Sequence, residues 1–130
     1  MKKVRVAVVG VGRMGQYHVG VYSEIPDVRL IGIADINETR GKEIAGKYNT
    51  KSYGDYKKLL GKVDVASIAV PTSLHYKIAK DFLQAGTNIL IEKPMTRSID
   101  EARELFNIAE KKKLTLHIGH VERFNGAVQE

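Results

Sequence analysis

Short β-rich runs alternate with amphipathic stretches along the whole chain, the pattern that βαβ units produce. Val4-Arg5-Val6-Ala7-Val8-Val9 predicts a first strand. From Gly12 to about Tyr22 the spacing turns helical, closed by Pro26. Arg29-Leu30-Ile31-Gly32-Ile33-Ala34 predicts a second strand ending at Asp35. Asn37 then caps a helix to about Tyr48, and a short strand follows near Lys51–Tyr53. Asp55 opens a brief helix ending at Gly61. The nearly continuous apolar run Val63–Val70 predicts a central parallel strand covered on both faces. A helix over about Thr72–Ala85 places Leu74, Ile78, Ala79, Phe82 and Leu83 on one stripe and stops at Gly86.

Asn88-Ile89-Leu90-Ile91 predicts the fifth strand, running into Glu92-Lys93-Pro94. Ser98-Ile99-Asp100-Glu101 has the form of a capping box, opening a helix expected to bury Ile99, Ala102, Leu105, Phe106 and Ala109. Lys111–Lys113 close it, favourably placed against the helix dipole. Leu114-Thr115-Leu116-His117-Ile118 predicts the last strand, with His117 expected in the core. Six strands alternating with helices give an α/β, doubly wound parallel sheet, most simply in the order 3-2-1-4-5-6. Residues 1–118 form that domain. Residues 119–130 fit no further element of the sheet and are expected to begin a crossover into a second domain.

Composition narrows the picture without changing it. The 130 residues are 43% hydrophobic and 28% charged, ordinary for one globular domain. No apolar run approaches the ~20 residues of a membrane span, so no membrane role is expected. Cysteine is absent, which removes disulfides, thiolate metal sites and cysteine nucleophiles together, and no metal site is expected. Met1-Lys2-Lys3 leads straight into the first strand with no cleavage pattern, so a cytoplasmic protein is the expectation. The net charge of +6 invites a nucleic-acid reading, but the 21 Lys and Arg are interleaved with 15 acids. Lys111–Lys113 is the one basic run, and no aromatics alternate with it. No nucleic-acid partner is expected.

Candidate chemistry gathers at the carboxyl ends of the strands. Gly10-Val11-Gly12-Arg13-Met14-Gly15 is G-x-G-x-x-G, directly after a strand and opening a helix, with Asp35 20 residues beyond Gly15. In that context Gly10 allows a tight turn, Gly12 lets backbone N–H groups approach a pyrophosphate, and Gly15 permits close helix–strand packing. Arg13 and Met14 lie in the first helical turn, beside the same phosphates. The alternative is a glycine-rich turn without a ligand. Asp35 suits the adenosine ribose hydroxyls and repels a 2′-phosphate, favouring NAD over NADP, although Arg13 and Arg40 are both placed to reach a phosphate. It could also merely cap the next helix. Val70-Pro71-Thr72 and His75 border the topological switch point, where the hydroxyls serve equally as an N-cap and His75 as a packed or solvated first-turn residue. Lys93, within Glu92-Lys93-Pro94 on the same edge, presents an ammonium to a substrate oxygen at which charge develops. Pro94 restricts its backbone to extended geometry. A purely structural turn is the alternative there.

Together the GVGRMG loop, Asp35, Pro71 with His75, the Glu92-Lys93-Pro94 triplet and Gly119–Asn125 resemble the nucleotide-binding domain of the Gfo/Idh/MocA oxidoreductases. The resemblance covers essentially the whole chain and implies a Rossmann fold. It implies NAD(P)-dependent oxidation or reduction at a carbinol or carbonyl carbon of a sugar, cyclitol or nucleotide sugar, a small-molecule substrate. Lys93 takes the family lysine's place as the catalytic residue, orienting substrate and moving a proton, and His75 that of a histidine near the cofactor. His120, Arg123 and Asn125 fall where substrate contact is implied. Val70-Pro71-Thr72 departs from the common Thr-Pro-Asn. With the GHVERFN segment it is closer to the branch resembling UDP-N-acetylglucosamine 3-dehydrogenases. Family enzymes continue into a second domain carrying further acid–base residues and much of a homo-oligomer interface. No residue here matches their general base, so this chain alone is expected to bind NAD(H) with little turnover. A stand-alone NAD(H)-binding module is the other reading. Lys93 speaks against it, because a pure binder needs no ammonium at the nicotinamide edge.

Overall fold

The structure is a computed structural model that describes residues 3–92 and 98–119. Six strands, β1 (Val4–Val9), β2 (Val28–Ala34), β3 (Lys51–Tyr53), β4 (Val65–Ile68), β5 (Asn88–Glu92) and β6 (Leu116–Gly119), form one sheet in the order β3-β2-β1-β4-β5-β6. Every pairing is parallel. The connecting helices are α1 (Arg13–Ser23), α2 (Glu38–Lys47), α3 (Thr72–Gln84) and α4 (Ile99–Lys112). The brief helix expected after Asp55 is a 3-10 turn, Tyr56–Leu59, and Asp55 does cap it by accepting from the Lys57 N–H. The doubly wound arrangement expected from the alternation is the one observed.

Alternation along the buried strands sorts side chains onto two faces. Ala7, Val9, Ala66, Ile68, Ile89 and Ile91 meet Ile78, Phe82 and Leu83 of α3 and Leu105 and Ala109 of α4. Val8 and Ile33 face the other way, onto Val19 of α1 and Ile44 and Ala45 of α2. Ser67, fully buried in central β4, shares a 2.5 Å hydrogen bond with the Tyr22 hydroxyl of α1, which satisfies the polar group in the core. The same burial holds the Tyr22 phenol above its ordinary pKa.

Four expected core positions lie outside the core. The stripe of α4 that packs is Ala102, Leu105, Ile108 and Ala109, while Ile99 (76% exposed) and Phe106 (46%) fall on its flank. Leu74 is 44% exposed, at the end of α3 nearest the cleft. His117 is exposed rather than buried. It pairs with Leu90 on the face opposite α3 and α4, and α1 and α2 cover the β1–β3 half of that face. Strand ends shift too: β4 is shorter than the apolar run Val63–Val70, whose last residues turn into the cleft.

The two edges of the sheet are finished differently, and this positions the site. At the amino ends, polar side chains lace neighbouring strands together. The Arg5 guanidinium donates to both Asp64 carboxylate oxygens (3.3 and 3.0 Å), and the Arg5 N–H donates to the same group. Asn88 donates to the Asp64 carbonyl and accepts from the Thr115 N–H. At the carboxyl ends of β1 and β4 a cleft opens, lined by residues that end or follow both strands.

Candidate functional site

Gly10 begins the cleft. Its φ of +91° is a conformation that side chains disfavour, and its N–H donates to the Ala34 carbonyl of β2. A Cβ there would come within 2.8 Å of the Ala69 carbonyl. Gly15 is tighter: a Cβ would stand 1.7 Å from the Gly10 carbonyl oxygen, so α1 sits directly on the turn. Gly12 is the contrast. Nothing lies within 4 Å of where its Cβ would be, and Gly12 lines the cavity. The three glycines thus divide into two that admit protein and one that leaves room for a ligand, as a phosphate-binding turn requires.

The cavity is ≈ 620 Å³, within the usual size of small-molecule sites. It lies at the switch point between β1 and β4 and takes walls from five segments. Val9 ends β1 and Gly10 and Gly12 follow it, and Ala34 ends β2 and Asp35 and Ile36 follow it. Gly54–Lys57 follow β3, Ala69–Pro71 follow β4, and Leu74, Lys77 and Ile78 belong to α3. Of the residues singled out from sequence, Gly10, Gly12, Asp35, Val70 and Pro71 line it. Arg13, Met14, Gly15 and Thr72 do not line it and lie in the first turns of α1 and α3.

Two helices begin at this cavity, and neither N-terminus is capped by a side chain: α1 follows Gly12 and α3 follows Pro71. Pro71 holds the N-cap position of α3, so the N-cap alternative for the Thr72 and Ser73 hydroxyls does not hold. By contrast, α2 and α4 are capped by Asn37, which accepts from the Arg40 N–H, and Ser98, which accepts from the Glu101 N–H. Uncapped N–H groups and the positive ends of two dipoles therefore face one space, an arrangement that suits an anion.

Asp35 does more than end its strand. Its Oδ2 accepts from the Val11 N–H at 2.8 Å and its Oδ1 from the Asn37 N–H at 2.8 Å. Each oxygen keeps a further lone pair for a ligand hydroxyl. His75 is buried (2% exposed) and does not line the cavity; its Nε2 lies 2.7 Å from the Val70 carbonyl oxygen, tying the start of α3 to the end of β4. On the far wall the Tyr56 hydroxyl donates to the Asp81 carboxylate. Burial first, then that bond and the charge of Asp81, push the phenol well above its ordinary pKa. Lys77 lies 3.5 Å from the same carboxylate.

Glu92 ends β5, opposite Gly119 of β6, on the cleft edge of the sheet. Lys93 and Pro94, and His120, Arg123 and Asn125, lie outside the described residues. Sequence reasoning missed Ile36, Gly54–Lys57 and the cleft role of Leu74. Ile36 is 89% exposed, an unusual place for a large apolar side chain, and it sits on the cavity wall beside Asp35. The available signal was topological: parallel strands bring the segments after β2 and β3 to the edge that holds the glycine turn. Among the described residues no helix is long and apolar enough to cross a membrane.

Comparison with known proteins agrees with this geometry. A family model described as an oxidoreductase family with an NAD-binding Rossmann fold matches residues 4–120. UDP-N-acetylglucosamine 3-dehydrogenase of Acidithiobacillus ferrooxidans is 38% identical over 129 residues, covering 99% of this chain and 41% of that protein. Its solved structure superposes with a TM-score of 0.90, covering 99% of this chain and 42% of that one. GenD2 from gentamicin A biosynthesis, solved in complex with NAD, is 31% identical with a TM-score of 0.88, covering 92% of this chain and 35% of its own. Inositol 2-dehydrogenase of Rhizobium meliloti is 29% identical over 123 residues, 94% of this chain and 37% of that protein. The chain thus spans about two-fifths of the length of the curated relatives it matches.

Proposed function

The chain belongs to the Gfo/Idh/MocA oxidoreductase family with its NAD-binding Rossmann fold, and on that premise we propose that it is the cofactor half of a dehydrogenase acting on a hydroxyl-bearing carbon of a sugar, cyclitol or nucleotide sugar. The observation that carries this reading is the cavity itself, which Gly12, with open space where a Cβ would be, and Asp35 both line at the switch point. Gly12 and the first turn of α1 hold the pyrophosphate. Asp35 accepts the adenosine ribose hydroxyls and disfavours a 2′-phosphate, so NAD is taken in preference to NADP. Ile36, Leu74 and Ile78 offer apolar walls for the adenine ring. When bound, the nicotinamide supplies or receives the hydride.

Lys93, directly after β5, hydrogen-bonds the substrate oxygen and holds or moves its proton, stabilising charge as the carbon changes oxidation state. His120, Arg123 and Asn125 follow β6 and contribute substrate contacts. The remaining acid–base groups and the substrate's other contacts come from residues beyond this domain. Within the substrate class, a nucleotide sugar such as UDP-N-acetylglucosamine is favoured by the 38% identity to the Acidithiobacillus enzyme.

The test uses a protein carrying this domain, assayed at 340 nm with NAD and UDP-N-acetylglucosamine or myo-inositol. NADH should form with one of them, and Lys93→Ala should abolish turnover while leaving NADH affinity within a few fold. Undiminished turnover in Lys93→Ala removes the lysine from the chemistry. Loss of NADH affinity in the still-folded variant reassigns Lys93 to cofactor binding.

A further inference from the structure

Val11, between the first two glycines, has both its N–H and its carbonyl held by side chains, two of them remote in sequence. Its N–H donates to Asp35 Oδ2. Its carbonyl accepts from Arg40 Nε at 2.8 Å and from Gln16 Nε2 at 3.3 Å, and its side chain is fully buried. A trans peptide points its C=O and the following N–H in opposite directions. Fixing the Val11 carbonyl toward Arg40 on α2 therefore fixes the Gly12 N–H, which no described acceptor takes, pointing the other way. Gly12 lines the cavity, and a Cβ there would meet no atom within 4 Å. Arg40 is itself placed by the cap it belongs to: its N–H donates to Asn37 Oδ1, and the Asn37 N–H donates to Asp35 Oδ1. One short segment, Asp35 to Arg40, thus grips both the N–H and the C=O of Val11.

We propose that Arg40 is a positioning residue for the phosphate-binding turn: it holds the Val11 carbonyl so that the Gly12 N–H is aimed at the cofactor's pyrophosphate. The inference rests on the dinucleotide reading above. Arg40 acts through the backbone and not by meeting a cofactor phosphate, so it serves NADH and NADPH alike. The relevant atom is Nε, not the guanidinium charge.

Glutamine carries its amide nitrogen the same number of bonds from Cα as arginine carries Nε, so Arg40→Gln keeps the donor and removes the charge. Arg40→Met removes both. Arg40 is exposed, so both variants should fold, which a thermal melt checks. Calorimetric titration should show Arg40→Met binding NADH about tenfold more weakly, the loss expected for one charge-assisted hydrogen bond. NADPH should weaken by the same factor. Arg40→Gln should stay within about threefold of the parent chain, a gap well under 1 kcal/mol. In the ligand-free ¹H–¹⁵N spectrum the Gly12 amide should shift in Arg40→Met and stay in place in Arg40→Gln. Equal losses in the two variants, a loss confined to NADPH, or NADH binding unchanged in Arg40→Met would each overturn the proposal. Failure of the parent chain to bind NADH would instead overturn the cofactor reading. The ligand-free Gly12 amide would still decide whether Arg40 orients the turn.

Discussion

Gly12→Ala and Gly15→Ala place the same methyl group on one turn and should have opposite effects. At Gly12 the added carbon meets no atom within 4 Å. The residue's φ of −70° and ψ of −161° are extended backbone open to any side chain. The substitution then acts mainly by restricting the unfolded chain, which favours the fold by about 0.4–1 kcal/mol. For a domain of this size that raises the melting temperature by roughly 1–5 °C. The methyl nevertheless fills the space where the phosphate oxygens belong. Losing one charge-assisted hydrogen bond costs about 1.5–3 kcal/mol, or roughly 10- to 150-fold in NADH affinity. At Gly15 the carbon would stand 1.7 Å from the Gly10 carbonyl oxygen, so α1 has to move off the turn. Overpacking of this kind costs about 1–3 kcal/mol and lowers the melting temperature. Thermal melts and NADH titrations on the same samples separate the two effects. NADH binding at parental strength in Gly12→Ala would refute the claim that Gly12 faces the phosphates. An unchanged melting temperature in Gly15→Ala would refute the close approach of α1.

Asp35→Ala should weaken NADH by more than the loss of a ribose contact, because it also releases the Val11 N–H and the Asn37 N–H. The NADH-to-NADPH affinity ratio should narrow at the same time, and a titration with each reads both effects. On the α3–α4 contact, Glu104 accepts from the Tyr76 hydroxyl at 2.6 Å and lies 2.7 Å from Lys80. Lys80, then Tyr76, hold its carboxyl below the ordinary 4.5. A depressed carboxyl contributes stability that is complete above the unfolded-state value and disappears as pH falls through the folded one. The melting-temperature gap between the parent and Glu104→Gln should therefore be largest above about pH 5 and close on acidification. A gap that widens in acid would reverse the assignment.

Much of the fold was legible because parallel strands buried on both faces write unbroken apolar runs, and because Gly10, Gly12 and Gly15 stand in a strand–turn–helix context. The departures share a cause. Periodicity marks which positions of a helix are apolar, but not how wide a stripe its neighbour covers, so Phe106 and Ile99 read as core in the sequence and stand exposed in the fold. His117 reads as core in the sequence but stands exposed, because nothing in its own strand says which half of the sheet α1 and α2 cover. The site divides in the same way. Asp35 announces itself locally. Ile36, Tyr56 and Lys77 join it only through topology, and the Arg40–Val11 bond spans 29 positions that no local pattern connects.

The central claim is that the cavity at the carboxyl edge is an NAD site, and the direct test is calorimetric titration of this chain with NADH and, separately, NADPH. The expected result is one NADH per chain, bound at least about tenfold more tightly than NADPH, a difference of roughly 1.4 kcal/mol. A folded chain that binds neither dinucleotide would contradict the claim, and one that prefers NADPH would contradict the role given to Asp35.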